Sequence, residues 1–250
     1  MNIIWLDSID STNSEAFRRL ADLPGGTVLS AREQTSGRGQ RGNSWFAESG
    51  RNLTFSIVVK FGTGGVPQLP ARDAMWLNYL ISDVVARFLR SLGADCTVKW
   101  PNDVYVRGKK ICGILIENTL KGEMLDAAVI GVGINVNQRE FPQLANATSL
   151  SCCTGREYDL DACLEKVCAL FEEAFPRIFS EEGRRALFQD YSDRLFRKGV
   201  VSRFHDLAED REYWGVIKGV GADGRLCIQD QDAPGKPDRY YRFKEVGYVL

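Results

Sequence analysis

From Thr97 to Val136 the chain runs through one apolar stretch after another, joined only by short polar links. Thr97 to Lys99 and Val104 to Val106 flank a Pro101-Asn102-Asp103 corner. Arg107-Gly108-Lys109-Lys110 is a hairpin tip, Ile111 to Thr119 a strand, and Lys121-Gly122 turns into Met124 to Val136. Links this short cannot carry a crossover, so neighbouring strands must pair antiparallel. Helical periodicity is confined to separate blocks. Ala71 to Leu92 places Met75, Leu77, Leu80, Ile81, Val84, Val85, Phe88 and Leu89 on one face and ends at Gly93; Asp159 to Phe179 and Glu181 to Phe196 follow. Strand-rich stretches interrupted by a few long helices predict an α+β fold, a mixed and largely antiparallel sheet packed by helices. From Val200 to Leu250 only short strands and turns remain, which predicts a small β-barrel. The boundary falls near Lys198, giving units 1–197 and 198–250.

The first third carries the least packable stretch, Gln34 to Trp45, with three glycines, two arginines and almost nothing apolar before Trp45. Strand-like runs lie on both sides, Gly26 to Ala31 and Asn52 to Lys60. Glycines let backbone N–H groups approach a ligand closely, and arginines present fixed forks to phosphate or carboxylate. The stretch therefore predicts an anion-binding loop. Gly37-Arg38-Gly39-Gln40-Arg41-Gly42 matches G-x-G-x-x-G, but the dinucleotide reading needs a helix directly after it and an acidic residue further on. A turn, a strand and Lys60 stand there instead. No Gly-Lys-Ser/Thr follows, which excludes a phosphate-binding P-loop. An RGG-type nucleic-acid segment would be longer and repetitive. Upstream, Ile3 to Leu6 reads as a strand. Thr12-x-x-Glu15 has the form of a capping box opening a helix that runs to Ala21, and Ser11, Thr12 and Asn13 would line a polar site at its start.

Composition narrows the chemistry. Net charge is −1, so a bulk basic surface for nucleic acid is absent. The chain holds a single histidine, His205, which removes Ser-His-Asp and Cys-His catalysis unless that residue serves. Seven cysteines at irregular spacing, with no C-x-x-C, read as reduced thiols in a cytoplasmic protein. The first residues lack the basic and apolar regions of a signal peptide, and no apolar run reaches membrane-spanning length.

Five motifs then converge. Thr12-Asn13, Gln34 with Gly37-Arg38-Gly39-x-x-Gly42 and Trp45, Lys99-Trp100-Pro101-Asn102-Asp103, Lys110-x-x-Gly113-Ile114-Leu115-x-Glu117, and Gly131-Val132-Gly133-Ile134-Asn135 resemble biotin protein ligases in order and spacing. The resemblance covers residues 1 to 150 by motif and the rest by layout, a class II synthetase-like catalytic domain followed by an SH3-like barrel. It implies that biotin's carboxylate attacks the α-phosphate of MgATP to give biotinyl-5′-AMP. A lysine of a biotin carboxyl carrier domain then takes the biotinyl group. It implies roles for Ser11, Thr12, Asn13, Gln34, Gly39, Trp45 and Gly113 around biotin, and for Arg38, Gln40, Arg41, Asn102, Lys110 and Asn135 around the adenylate. Arg38, Lys110 and Asp103 would be the catalytic groups, Asp103 helping to deprotonate the incoming lysine. Biotin and MgATP are substrates in this reading, with no tightly held metal.

Gln40 and Asn43 depart from the family, standing where many members carry arginines. The rival readings are a lipoate ligase of the same fold and a non-catalytic biotin-binding module. The Thr12-Asn13 motif lies too near the first residue for a preceding winged helix, so DNA binding is not expected. A homodimer through an exposed strand is left open.

Overall fold

Alternation along one strand sorts the middle of the molecule into two faces. In Met124–Ile134, Ala128, Ile130, Val132 and Ile134 point into the main core, while Val129, Gly131 and Gly133 point the other way. The computed structural model describes every residue except Gln143, Ala222 and Leu250, and of Arg41 the backbone alone. Its elements are β1 (Asn2–Ile9), α1 (Thr12–Arg18), β2 (Thr27–Gln34), β3 (Leu53–Lys60), α2 (Met75–Ser91), β4 (Thr97–Lys99), β5 (Asp103–Val106), β6 (Lys109–Lys121), β7 (Met124–Ile134), α3 (Leu150–Thr154), α4 (Leu160–Ala174) and α5 (Glu181–Asp193). A second group follows: β8 (Val201–Asp206), β9 (Arg211–Val220), β10 (Leu226–Asp230), β11 (Asp238–Tyr241) and β12 (Val246–Tyr248).

The first seven strands form one sheet in the order β1-β2-β3-β7-β6-β5-β4. As the short links require, every pair is antiparallel except β1 with β2, which are joined through α1 and run parallel. The sheet is thus mixed and largely antiparallel. The last five strands make the antiparallel sheet of the SH3-like unit, ordered β11-β10-β9-β8-β12. Among the described residues no helix is long and apolar enough to cross a membrane.

Helix α2 covers one face of the large sheet. Leu77, Leu80, Ile81, Val84, Val85, Phe88 and Leu89 are fully buried, each burial contributing roughly 1.5–3 kcal/mol relative to exposure. Helices α4 and α5 pack behind it. The periodic stretch 159–179 breaks after Ala174 and finishes as a 3-10 turn, because Pro176 supplies no N–H and its ring crowds the preceding turn. Helix α3 was not foreseen; Ser149 caps it by accepting from the Cys152 N–H at 3.1 Å, and Gly155 ends it in the left-handed region at φ 76°. All seven cysteines are free thiols, and burial pushes Cys96, Cys163 and Cys168 up to about 11.

The expected capping box does not form. The helix N-cap is Ser11, whose side chain makes no capping bond, and Glu15 pairs instead with Arg18. Thr12 turns away from the helix axis toward Gln34, and that displacement helps build the site.

One buried charge ties the helical layer together. Asp83 of α2 is 1% exposed and accepts from Arg177 at 3.1 Å and Arg194 at 2.8 Å. Removing the carboxylate leaves two guanidinium groups facing each other at the seam of α2 and α5. Asp83→Ala is expected to lower stability by about 3 kcal/mol, read as a shift of the urea unfolding midpoint.

Candidate active site

Register carries a single row of side-chain positions across the sheet. Thr54 of β3 faces Gly133 of β7, which faces Gly113 of β6, then Asp103 of β5, then Lys99 of β4. The next row is Ser56, Gly131 and Leu115. Both rows lie on the face that α1 only partly covers. A Cβ on Gly131 would come within 2.3 Å of Asn13 Oδ1, and one on Gly133 within 2.3 Å of the Trp45 ring. The glycines are therefore what lets the start of α1 and the Trp45 indole sit directly on the strands.

Four polar side chains interlock where α1 begins. Gln34 Oε1 accepts from the Thr12 N–H at 2.8 Å and lies 3.1 Å from the Thr12 hydroxyl. Ser56 Oγ stands 2.8 Å from Thr12 Oγ1 and 2.6 Å from Asn13 Oδ1. Asn13 Oδ1 can only accept, so the single Ser56 proton belongs to it. Asn13 Nδ2 donates to the Leu115 carbonyl at 3.3 Å and to Glu117 Oε2 at 3.0 Å. Ser11, Thr12 and Asn13 are all buried. The Gln34 amide nitrogen makes no hydrogen bond among the described residues.

The loop from Gly37 to Trp45 folds back on itself. Trp45 N–H donates to the Gly37 carbonyl at 2.9 Å, Gly39 N–H to the Asn43 carbonyl at 2.7 Å, and Gln40–Gly42 makes a 3-10 turn between them. The Trp45 ring rests on Gly113 and Gly133, and its buried indole Nε1 has no hydrogen-bond partner among the described residues. Arg38 reaches from the loop to Glu117 on β6, its Nη2 at 2.8 Å from Oε1 and its Nη1 at 3.2 Å from Oε2.

Lys110 arrives by a bulge. Val104 pairs with Cys112 but Tyr105 pairs with Lys110, so Ile111 is an extra residue on β6. Ile111 and Cys112 consequently both enter the core, and Lys110 shares the open face with Gly113. Its ammonium lies 2.7 Å from Asp103 Oδ1 and 5.8 Å from the centre of the Trp45 ring. Beside this pair, Lys99 stands 3.4 Å from the Tyr105 hydroxyl and 4.9 Å from the centre of the Tyr248 ring. Burial holds the Lys99 ammonium below the usual lysine range, with Asp103 opposing the shift.

These groups line one cavity of about 310 Å³ that is shared with the C-terminal unit, whose Phe243 and Lys244, in the turn before β12, and Tyr248, on β12, line it too. Asn102 holds the corner above it: its amide donates to the Ile114 carbonyl, and its own carbonyl accepts from the Ile114 N–H at 3.1 Å. The Trp100–Pro101 peptide is cis. A second recess of about 610 Å³ opens on the other side of the loop, lined by Gln34, Ser44, Trp45, Phe46, Phe141, Pro142 and Leu144.

The structure thus brings together Ser11, Thr12, Asn13, Gln34, Arg38, Gly39, Gln40, Trp45, Asn102, Asp103, Lys110 and Gly113. It does not bring Asn135 to them. That side chain is buried, donates to the Thr148 carbonyl at 2.9 Å, and lies outside the described cavities; β7 ends at Ile134, one residue before it, so the alternation of the strand no longer sets its direction. The Arg41 side chain lies outside the described residues. Sequence reasoning assigned no part to Ser56, Glu117 or the C-terminal wall. The pair Gly131-x-Gly133 within a strand was the available sign of close approach over this face.

Residues 5–135 match the model of the Biotin/lipoate A/B protein ligase family. The chain is 34% identical over 246 residues to the bifunctional ligase/repressor BirA of Salmonella typhimurium, spanning 94% of this chain and 72% of that protein. It is 35% identical over 238 residues to a biotin–[acetyl-CoA-carboxylase] ligase of Paracoccus denitrificans, spanning 88% of this chain and 91% of that one. Among solved structures, the biotin protein ligase of Aquifex aeolicus in complex with biotin and ATP superposes with a TM-score of 0.76 at 26% identity, covering 98% and 97% of the two chains. With a sheet, a glycine-floored cavity and a family match that runs from β1 through β7, the chain belongs to the Biotin/lipoate A/B protein ligase family.

Proposed function

We infer that the chain is an ATP-dependent ligase that joins biotin to ATP as biotinyl-5′-AMP, releasing pyrophosphate. The biotinyl group then passes to a lysine of a biotin carboxyl carrier domain, releasing AMP. The observation that carries this reading is the cavity's two-part chemistry: a hydrogen-bonding cluster of uncharged groups, the buried Ser11, Thr12 and Asn13 with Gln34, and the cations Arg38 and Lys110 in the same cavity. A ureido ring needs only the first. A carboxylate meeting a triphosphate needs the second, because two anions must be neutralised before they can react. The ligands recorded for the Aquifex aeolicus relative, biotin and ATP, match this division.

In this reading Thr12, Asn13 and Gln34 face biotin's ring, with the unpartnered Gln34 amide nitrogen as a donor. Trp45 and Gly113 wall its apolar part. Arg38 and Lys110 hold the carboxyl and α-phosphate, and Mg²⁺ enters with the triphosphate. Gly39 and Gln40 lie beside them, and Gln40 offers an amide where a bidentate guanidinium would grip phosphate more firmly. The apolar recess beside Trp45 and Phe46 takes the nucleobase. Asp103 accepts the proton of the incoming lysine, whose free pKa is about 10.4, as the phosphate draws Lys110 away from it. No protein nucleophile is required; holding two substrates in line can itself contribute roughly 7–11 kcal/mol.

Lipoate fits less well. Its dithiolane offers no acceptor to the Gln34 amide nitrogen, and a donor left unpaired on binding rejects such an analogue. ATP–pyrophosphate exchange is therefore expected with biotin and not with lipoate; exchange with lipoate alone would reverse the assignment. Arg38→Ala and Lys110→Ala are each expected to lower exchange at least about tenfold, a loss of about 1.4 kcal/mol in the transition state. Gly133→Ala places a methyl group in the Trp45 ring, and the KM for biotin should rise about tenfold with the fold intact by circular dichroism.

A further inference from the structure

We propose that Glu117 is a positioning residue. Its carboxylate ties Arg38 of the loop to Asn13 at the start of α1, so that Arg38 reaches a phosphate only by leaving Glu117. The proposal rests on the roles given above to Arg38 and Asn13. Glu117 lies on β6, on the same face as Gly113 and Leu115. It receives two near-parallel bonds from the Arg38 guanidinium, at 2.8 and 3.2 Å. Its Oε2 also accepts from Asn13 Nδ2 at 3.0 Å.

A solvated surface pair would account for Arg38 alone. It would not account for the same oxygen serving an amide that is 3% exposed. Asn13 has its other contacts to uncharged groups, the Leu115 carbonyl and Ser56. Glu117 is therefore the charged group that fixes its orientation, and a carboxylate has lone pairs enough for both partners. When Arg38 moves to an arriving phosphate, Oε2 is left wholly to Asn13, and its acceptor strength there rises. Loop position and the orientation of the buried amide are thereby coupled through one side chain.

Trypsin reads the first bond, since cleavage of Arg38–Gly39 needs the guanidinium free. Glu117→Gln keeps an acceptor for Asn13 but removes the charge, and this bond should be cut at least about threefold faster than in the ligand-free wild type. Glu117→Ala removes both links, and its KM for biotin should exceed that of Glu117→Gln at least about fivefold, with a smaller change in kcat. Equal cleavage of wild type and Glu117→Gln, or equal KM in the two variants, overturns the proposal. Biotin with ATP should protect the bond in the wild type. Failure of that protection counts against the role of Arg38 itself, whereas protection in the wild type without any difference between the variants sinks Glu117 alone. Thermal melts of both variants close to wild type keep these outcomes separate from unfolding.

Discussion

The floor of the cavity is bare backbone, and most of what surrounds it follows from that. Gly113, Gly131 and Gly133 leave a patch of sheet on which no Cβ projects. A helix start carrying Asn13 and an indole from the following loop can then lie against the strands. A single methyl at Gly131 or Gly133 would lift one or the other. Glycine inside a strand weakens it, since it contributes no packing and loses more entropy on ordering. Here the strands can bear that because β7 is central, paired along its length with β3 and β6, and carries Ala128, Ile130, Val132 and Ile134 into the core on its other face.

Charge is arranged on the same floor with equal economy. Both cations assigned to the anionic centre already have carboxylate partners, Arg38 with Glu117 and Lys110 with Asp103. Neither pair is deeply buried, and exposed ion pairs contribute about 0–1 kcal/mol. A phosphate carrying more charge can displace such partners without a large penalty. The pairs hold each cation within reach of its task. Lys99 differs: among the described residues it has no carboxylate hydrogen bond, and burial beside Tyr105 and Tyr248 depresses its affinity for a proton.

Much of this was legible in the residues. Short links between apolar runs dictated antiparallel pairing, and the α2 periodicity picked out its buried face. The Gly-Arg loop, the Lys-Trp-Pro-Asn-Asp corner and the Thr12-Asn13 pair all reach one cavity. The failures share a cause, which is that long-range contacts override local signals. Thr12 and Glu15 have capping chemistry, but Gln34 and Ser56 compete for the Thr12 side chain from across the sheet. The one-residue bulge at Ile111 decides which face Lys110 occupies, and nothing in an apolar run announces it. Asn135 shares a motif with Gly133, yet β7 ends at Ile134 and its side chain bonds the Thr148 carbonyl instead. Glu117 sits at the end of an apolar strand, where a lone carboxylate reads as solvated until Asn13 and Arg38 are seen on either side.

The C-terminal sheet is bound to this arrangement through Trp100. Its indole N–H donates to the Gly224 carbonyl at 3.1 Å, and its ring meets Phe243 edge-on at 6.3 Å. The next residue's carbonyl, on Pro101, accepts from Asn78 of α2 at 2.6 Å and from the Tyr191 hydroxyl of α5 at 2.8 Å. The corner that presents Asn102 and Asp103 is therefore held by the helical layer on one side and by the small sheet on the other. Detaching the small sheet would remove one wall of the cavity and also free one side of that corner. The contact made from beyond residue 220 thus falls three residues before Asp103, the partner of Lys110.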